Sequence, residues 1–169
     1  MKPLRRAERG KDAEWALSVF DKAPYATLSM IRPDGSPYGV PLSIVRKDSD
    51  TFYFHCAPEG EKIDCINYNS LVFISAVTRC KPVFEEGTQN FTTHYRSAMA
   101  MGKAELVTDE KEKTEALRLL CQRFLPQYME KFDEAVARSL HLTAIYRITL
   151  IEPPVGKEKT SEPKCCKNE

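Results

Sequence analysis

Residues 25–45, YATLSMI-RPDGSP-YGVPLSIV, limit the fold more than any other stretch of the chain. Two runs rich in strand-forming residues, Tyr25–Ile31 and Tyr38–Val45, flank a Pro-Asp-Gly turn. Such a turn reverses the chain within a few residues, so the two runs become antiparallel neighbours. The arrangement recurs. The polar stretch RKDSD leads into TFYFHC (51–56), and LVFISAVT (Leu71–Thr78) reads as a fourth strand. HYRSAMAMGKAELV (94–107) reads as one long strand with Gly102 as a bend or bulge. HLTAIYRITLIE alternates at Leu142, Ala144, Tyr146, Ile148 and Leu150. Consecutive strands joined by short turns imply antiparallel pairing, and long strands with glycine bends favour a barrel over an open sheet.

Helices punctuate this pattern. Trp15, Ala16, Val19 and Phe20 form one apolar stripe in Lys11–Ala23, with Asp12 placed to cap and Pro24 to stop it. EGEKIDCINYN is a short helix. TDEKEKTEALRLLCQRFLP is the clearest one, with Asp109 and Glu112 at capping-box spacing and Pro126 at its end. A weaker helical stretch covers Met129–Leu140. Between Arg79 and Thr93 the pattern dissolves, which predicts a long functional or partner-binding loop. From Val155 the chain reads VGKEKTSEPKCCKNE, almost without apolar residues. The expected organisation is therefore one domain over 1–154 and a disordered tail over 155–169.

Composition excludes several classes. The 169 residues carry 25 Lys and Arg against 24 Asp and Glu, a net charge of +1, without the basic excess of a dedicated nucleic-acid binder. No apolar run approaches the roughly 20 residues of a membrane helix. The start, MKPLRRAERGKDAEW, lacks the apolar core of a secretory signal. Six cysteines in such a chain read as free thiols in a reducing cytoplasm. His55, His94 and His141 are far apart and no CxxC spacing occurs, so no metal site is expected. Cys56 could be a nucleophile, but a strand cysteine is more often a small core residue.

Three stretches could carry chemistry. In FHCAPEGEKID a strand passes through Pro58 and Gly60 into a helix that begins near Lys62. Helix-start amides lack internal partners and carry partial positive charge, so this turn suits an anion, with Lys62 as counter-charge or as an ordinary solvated lysine. Pro41 interrupts the second strand of the opening hairpin and removes a ladder donor. That strand is either a plain edge or one whose backbone, near Gly39, is free to meet a flat polar ring. His94, Tyr95, Arg96 and Ser97 open the long strand, His94 and Arg96 on one face and Tyr95 and Ser97 on the other.

Taken in order, YATLSMIRPDGSPYGVPLSIV, TFYFHCAPEGEKIDCI and YRSAMAMGKAELV, followed by the DEKEKTEALRLL helix, closely resemble the flavin-binding split-barrel superfamily. Within it they are most similar to the pyridoxamine 5′-phosphate oxidase-related, nitroimidazole-resistance (Nim)-like proteins. The resemblance covers residues 25–152. It implies a mainly β (α+β) fold, a six-stranded antiparallel Greek-key split β-barrel with flanking helices. It also implies a homodimer with FMN at the subunit interface. By the same resemblance Val40, Pro41, Leu42, Ser43 and Ile44 would touch the isoalloxazine through their backbone. Phe54 and His55 would line the cofactor, Lys62 would hold its phosphate, and Ser97 would approach the flavin, in one version from the other subunit. Relatives often carry EGHK where this chain has EGEK, which sets an acid, Glu61, beside the phosphate position. The Arg-rich ending of true pyridoxamine 5′-phosphate oxidases is missing, so that activity itself is not expected.

The implied function is an FMN-dependent oxidoreductase passing electrons from a donor such as NAD(P)H to a small, aromatic or nitroaromatic acceptor. His94 and Tyr95 are the catalytic candidates by location and side-chain inventory. The rivals are a non-enzymatic flavin or haem binder on the same barrel, with a histidine such as His94 as haem ligand, and an adaptor that has lost its cofactor.

Overall fold

The computed structural model describes residues 3–160. It opens with a two-residue strand, β1 (Gly10–Lys11), and a helix, α1 (Ala13–Lys22). The Asp12 carboxylate accepts the Trp15 amide at 2.8 Å, filling one of the donors a helix start leaves unpaired. A hairpin follows, β2 (Ala26–Ile31) and β3 (Pro37–Leu42). Its turn uses Gly35 at φ 83°, a conformation that favours glycine, and Asp34 accepts the Ser36 amide at 2.9 Å. Next come β4 (Val45–Arg46), β5 (Thr51–Cys56) and the helix α2 (Glu61–Tyr68). Two long strands, β6 (Leu71–Glu85) and β7 (Asn90–Leu106), lead to α3 (Glu110–Phe124) and α4 (Phe132–Ser139). β8 (Ala144–Leu150) and β9 (Val155–Lys159) complete the described chain.

All pairings are antiparallel, in the order β3-β2-β6-β7-β8-β5-β4. The two ends of that path, β3 and β4, are halves of one chain stretch interrupted at Ser43 and Ile44. The sheet therefore returns to itself through the backbone and not through a ladder. That is the expected split barrel, α+β with flanking helices. Its strand labels exceed six because one strand is divided and because β1 and β9 are added beside β7.

Register explains how α1 seats. Ala26 lies opposite Ala76, Ala76 opposite Ala98, and Ala98 opposite Gly156, so four strands present one row of small residues. A helix can approach such a row closely. Ala16 and Phe20 are fully buried, and Phe20 meets Phe52 edge-on at 5.3 Å. A side chain on Gly156 would come within 2.5 Å of the Trp15 ring.

Three sequence expectations are corrected. Residues 79–93 are not an irregular loop: β6 and β7 pair continuously out to Glu85 opposite Asn90, past a bulge between Val77 and Arg79. The arm projects beyond the core, so neither face is buried and no alternation marks it; Phe91 is 89% exposed. Residues 155–159, expected in a disordered tail, form β9 and belong to the domain. β9 is held by backbone ladders and by charge, not by apolar side chains: Glu158 pairs with Lys11 at 3.0 Å and with Arg96 at 2.6 Å. The first helix also begins two residues later than expected, because Lys11 is spent in β1. The rest of the expected tail, with Cys165 and Cys166, lies outside the described residues.

Candidate functional site

The interruption between β3 and β4 creates the most distinctive surface of the barrel. β4 pairs with β5 through Val45–Tyr53 and Arg46–Phe52. Continued, that register would set Ser43 opposite His55 and Leu42 opposite Cys56, yet the ladder stops. β3 pairs only with β2, so among the described residues its other edge carries no ladder. Pro41, with no N–H to donate, suits a strand left at an edge. Val40 and Leu42 turn half-buried toward the core, Ile44 is 2% exposed, and Pro41 faces outward. An open cavity of about 590 Å³ lies there, lined by Tyr25, Thr27, Pro41, Leu42 and Ser43.

α2 starts beside the turn end of the β2–β3 hairpin, where Glu61 pairs with Arg32. Gly60 caps it at φ 123°, where any other residue would be strained, and its carbonyl accepts the Ile63 amide at 2.8 Å. The amides of Glu61 and Lys62 sit in the first turn, where a helix offers no internal acceptor. Lys62 is half-buried, with its ammonium 5.5 Å from the centre of the Phe54 ring. Phe54 itself is fully buried and stacks on Tyr146 at 5.4 Å, so it backs the site from the core. His55 stands at the rim. Partial burial, then the Lys62 ammonium, lower its pKa from 6.5, so its imidazole is neutral at pH 7. Burial raises the neighbouring Cys56 thiol against a smaller opposite pull from Lys62. Cys56, Cys65, Cys80 and Cys121 are free thiols.

Glu61 does not face the anion position unpaired. Its carboxylate accepts the Arg32 Nε at 2.5 Å. Arg32 also donates to the Pro37 carbonyl at 2.8 Å and stacks 4.9 Å from the Tyr38 ring centre, tying α2 to the β2–β3 hairpin.

Lys62 thus stands beside Phe54 and His55, while Val40–Ile44 run along the open β3 edge and into the break. Ser97, Tyr95 and His94 lie elsewhere in the same chain. From Pro41 the register runs to Thr27, Ser75 and Met99, three strand spacings or roughly 14 Å. Ser97 is half-buried and donates to the Lys157 carbonyl at 3.4 Å; the Lys157 ammonium lies 5.8 Å from the Tyr95 ring centre. His94 is 6% exposed, and its Nε2 lies 3.0 Å from a Glu85 oxygen on the arm. Sequence reasoning missed Arg32, Thr27 and Arg123. Their only sequence signal was ordinary polarity, since their partners come from other elements.

The sequence profile of the pyridoxamine 5′-phosphate oxidase family matches residues 12–154. Solved structures share the fold. Flavocytochrome Anf3 from Azotobacter vinelandii superposes with a TM-score of 0.80 at 24% identity, over 95% of this chain and 73% of that one. A FAD and haem binding protein from Mycobacterium smegmatis gives 0.78 at 20% identity, over 92% and 75%. A candidate 5-nitroimidazole antibiotic resistance protein from Bacteroides thetaiotaomicron gives 0.71 at 23%, over 87% and 84%. No curated protein matches the sequence.

Proposed function

Because the chain belongs to the pyridoxamine 5′-phosphate oxidase family, we propose that it is a flavin-dependent oxidoreductase that holds FMN at the split. One arrangement supports this reading: β3 keeps an unladdered edge, and Arg32 ties the start of α2, which carries Lys62, to the same β2–β3 hairpin. FMN makes two demands, a flat polar ring and a phosphate dianion. The amides and carbonyls of Val40–Ile44 can meet the ring's heteroatoms. Lys62 and the first-turn amides of α2 suit the phosphate. Arg32 offsets the Glu61 charge that would oppose it. His55, neutral at pH 7, can take up a proton at the rim. A flavin bound there supplies the electron transfer, from a donor such as NAD(P)H to a small, aromatic or nitroaromatic acceptor.

The reading includes a homodimer. Ser97 shares the outer sheet face with Pro41, Thr27 and Ser75 but is too distant to reach the split of its own chain. A second copy packed on that face would bring it there. Sedimentation of the purified protein checks this, and a monomer at micromolar concentration with FMN bound removes Ser97 from the site.

The direct test is optical. Purified protein titrated with FMN should gain the two visible flavin bands. Anaerobic NAD(P)H should bleach them, and a nitroaromatic should restore them. Protein that takes up no FMN refutes the proposal. Two structural neighbours, a flavocytochrome and a FAD and haem binding protein, support haem on the same barrel as the second reading. His55 suits an axial ligand better than His94, whose Nε2 is engaged by Glu85. A Soret band after haem addition, without flavin uptake, selects it.

A further inference from the structure

Arg123 reaches out of the last turn of α3 and touches three backbone carbonyls. Its Nη1 donates to Ile44 at 2.7 Å, and its Nη2 donates to Phe20 at 2.5 Å and Ala23 at 2.8 Å. Phe20 and Ala23 end α1, where carbonyls have no internal donors and the helix carries partial negative charge. Ile44 lies in the interruption between β3 and β4. A second arginine reinforces the link, since Arg46 of β4 pairs with Asp21 of α1 through two hydrogen bonds of 2.9 and 2.5 Å. α1 itself is fixed by its fully buried Ala16 and Phe20. The chain on the β4 side of the break is therefore bolted to a rigid helix.

Lys47 donates to the Thr51 carbonyl at 2.9 Å, so the hydrogen-bonded rungs of β4 and β5 are 47/51 and 45/53, and the Ile44 carbonyl lies on the edge that faces away from β5. Arg123 therefore does not compete with the ladder; it anchors the peptide at the break to the end of α1. We propose that Arg123 is the positioning residue of this site: by holding the Ile44 carbonyl against the end of α1 it sets the course of the chain between β3 and β4, along the edge on which the flavin reading depends. The proposal rests on the flavin reading for its ligand, and on these carbonyl contacts for its mechanism.

The test compares wild type, Arg123→Gln and Arg123→Lys. Amide hydrogen exchange on ligand-free protein comes first. Arg123→Gln should alter exchange selectively over residues 40–46, and Arg123→Lys should do so less. FMN titration follows. Arg123→Gln should weaken FMN by about tenfold or more and shift the visible bands of bound flavin, and Arg123→Lys should lie between it and wild type. Should Arg123→Gln not fold, Arg123→Lys carries the comparison alone. Unchanged exchange over 40–46 overturns the positioning mechanism whatever the flavin does. Wild-type affinity and spectrum in a folded Arg123→Gln protein overturn its role at the site. If wild type binds no FMN, the flavin reading fails and takes the positioning role with it, even where exchange responds.

Discussion

Gly156→Ala puts the least expected part of the fold to a quantitative test. The added methyl would lie 2.5 Å from Trp15 Cε3, 3.0 Å from Cζ3 and 2.9 Å from the Lys11 Cβ. Carbon atoms prefer separations near 3.5–4.0 Å, so something must move by roughly 1 Å. The Gly156 backbone cannot retreat, because β9 is laddered to β1 on one side and β7 on the other. Trp15 is only half-buried and can swing toward solvent at the cost of its packing. Overpacking of this kind costs about 1–3 kcal/mol, and the partial escape of Trp15 places the expected value near 2 kcal/mol. For a domain of this size that lowers Tm by about 4–8 °C. Trp15 is the sole tryptophan, so emission reports on the contact directly and should move to longer wavelength. Gly87→Ala is the control, because nothing lies within 4 Å of its added methyl; its Tm should stay within about 2 °C. A Gly156→Ala protein with wild-type Tm and emission would show that β9 does not lie under α1.

Other outcomes follow from the same geometry. Lys62→Ala should weaken FMN by about 10- to 100-fold, the worth of one charged hydrogen bond, with little change in Tm; isothermal titration measures the affinity and a thermal melt the stability, and unchanged affinity removes Lys62 from the phosphate site. Glu61→Gln should change FMN affinity by less than about threefold, because Arg32 already offsets the carboxylate; a tenfold tightening would mean that Glu61 repels the ligand after all. Glu112 predicts an acid limb. Burial is the largest influence on its carboxyl and acts upward, but the Tyr53 hydroxyl at 2.8 Å and Arg147 at 2.7 Å together hold its pKa below 4.5. The unfolded chain therefore binds that proton more tightly. The carboxylate's contribution is fully present above pH 4.5 and is lost as pH falls through the folded pKa. Urea midpoints between about pH 3 and pH 7 should fall less steeply on the acid side in Glu112→Gln than in wild type, and parallel curves would refute the assignment.

Local chemistry made much of the barrel readable from sequence. The Pro-Asp-Gly turn forced β2 and β3 together, and Asp12 and Asp109 marked helix starts, where each now accepts an amide. Pro41 announced an edge, and Gly60 announced a helix start. These signals act within a few residues, so no fold is needed to read them. The arm and β9 were illegible for the converse reason. Their pairing satisfies backbone groups, which every residue carries, while hydrophobic alternation appears only where one face is buried. Arg123 was illegible too, since a guanidinium at a helix end has many possible partners and only the packing of α3 against α1 and the broken strand selects three of them. The sequence alone determined which segments become strands and helices and which residue types stand at their ends. Tertiary structure decided which edge stays open, because an unladdered edge depends on whether carbonyls and strands distant in sequence reach it first.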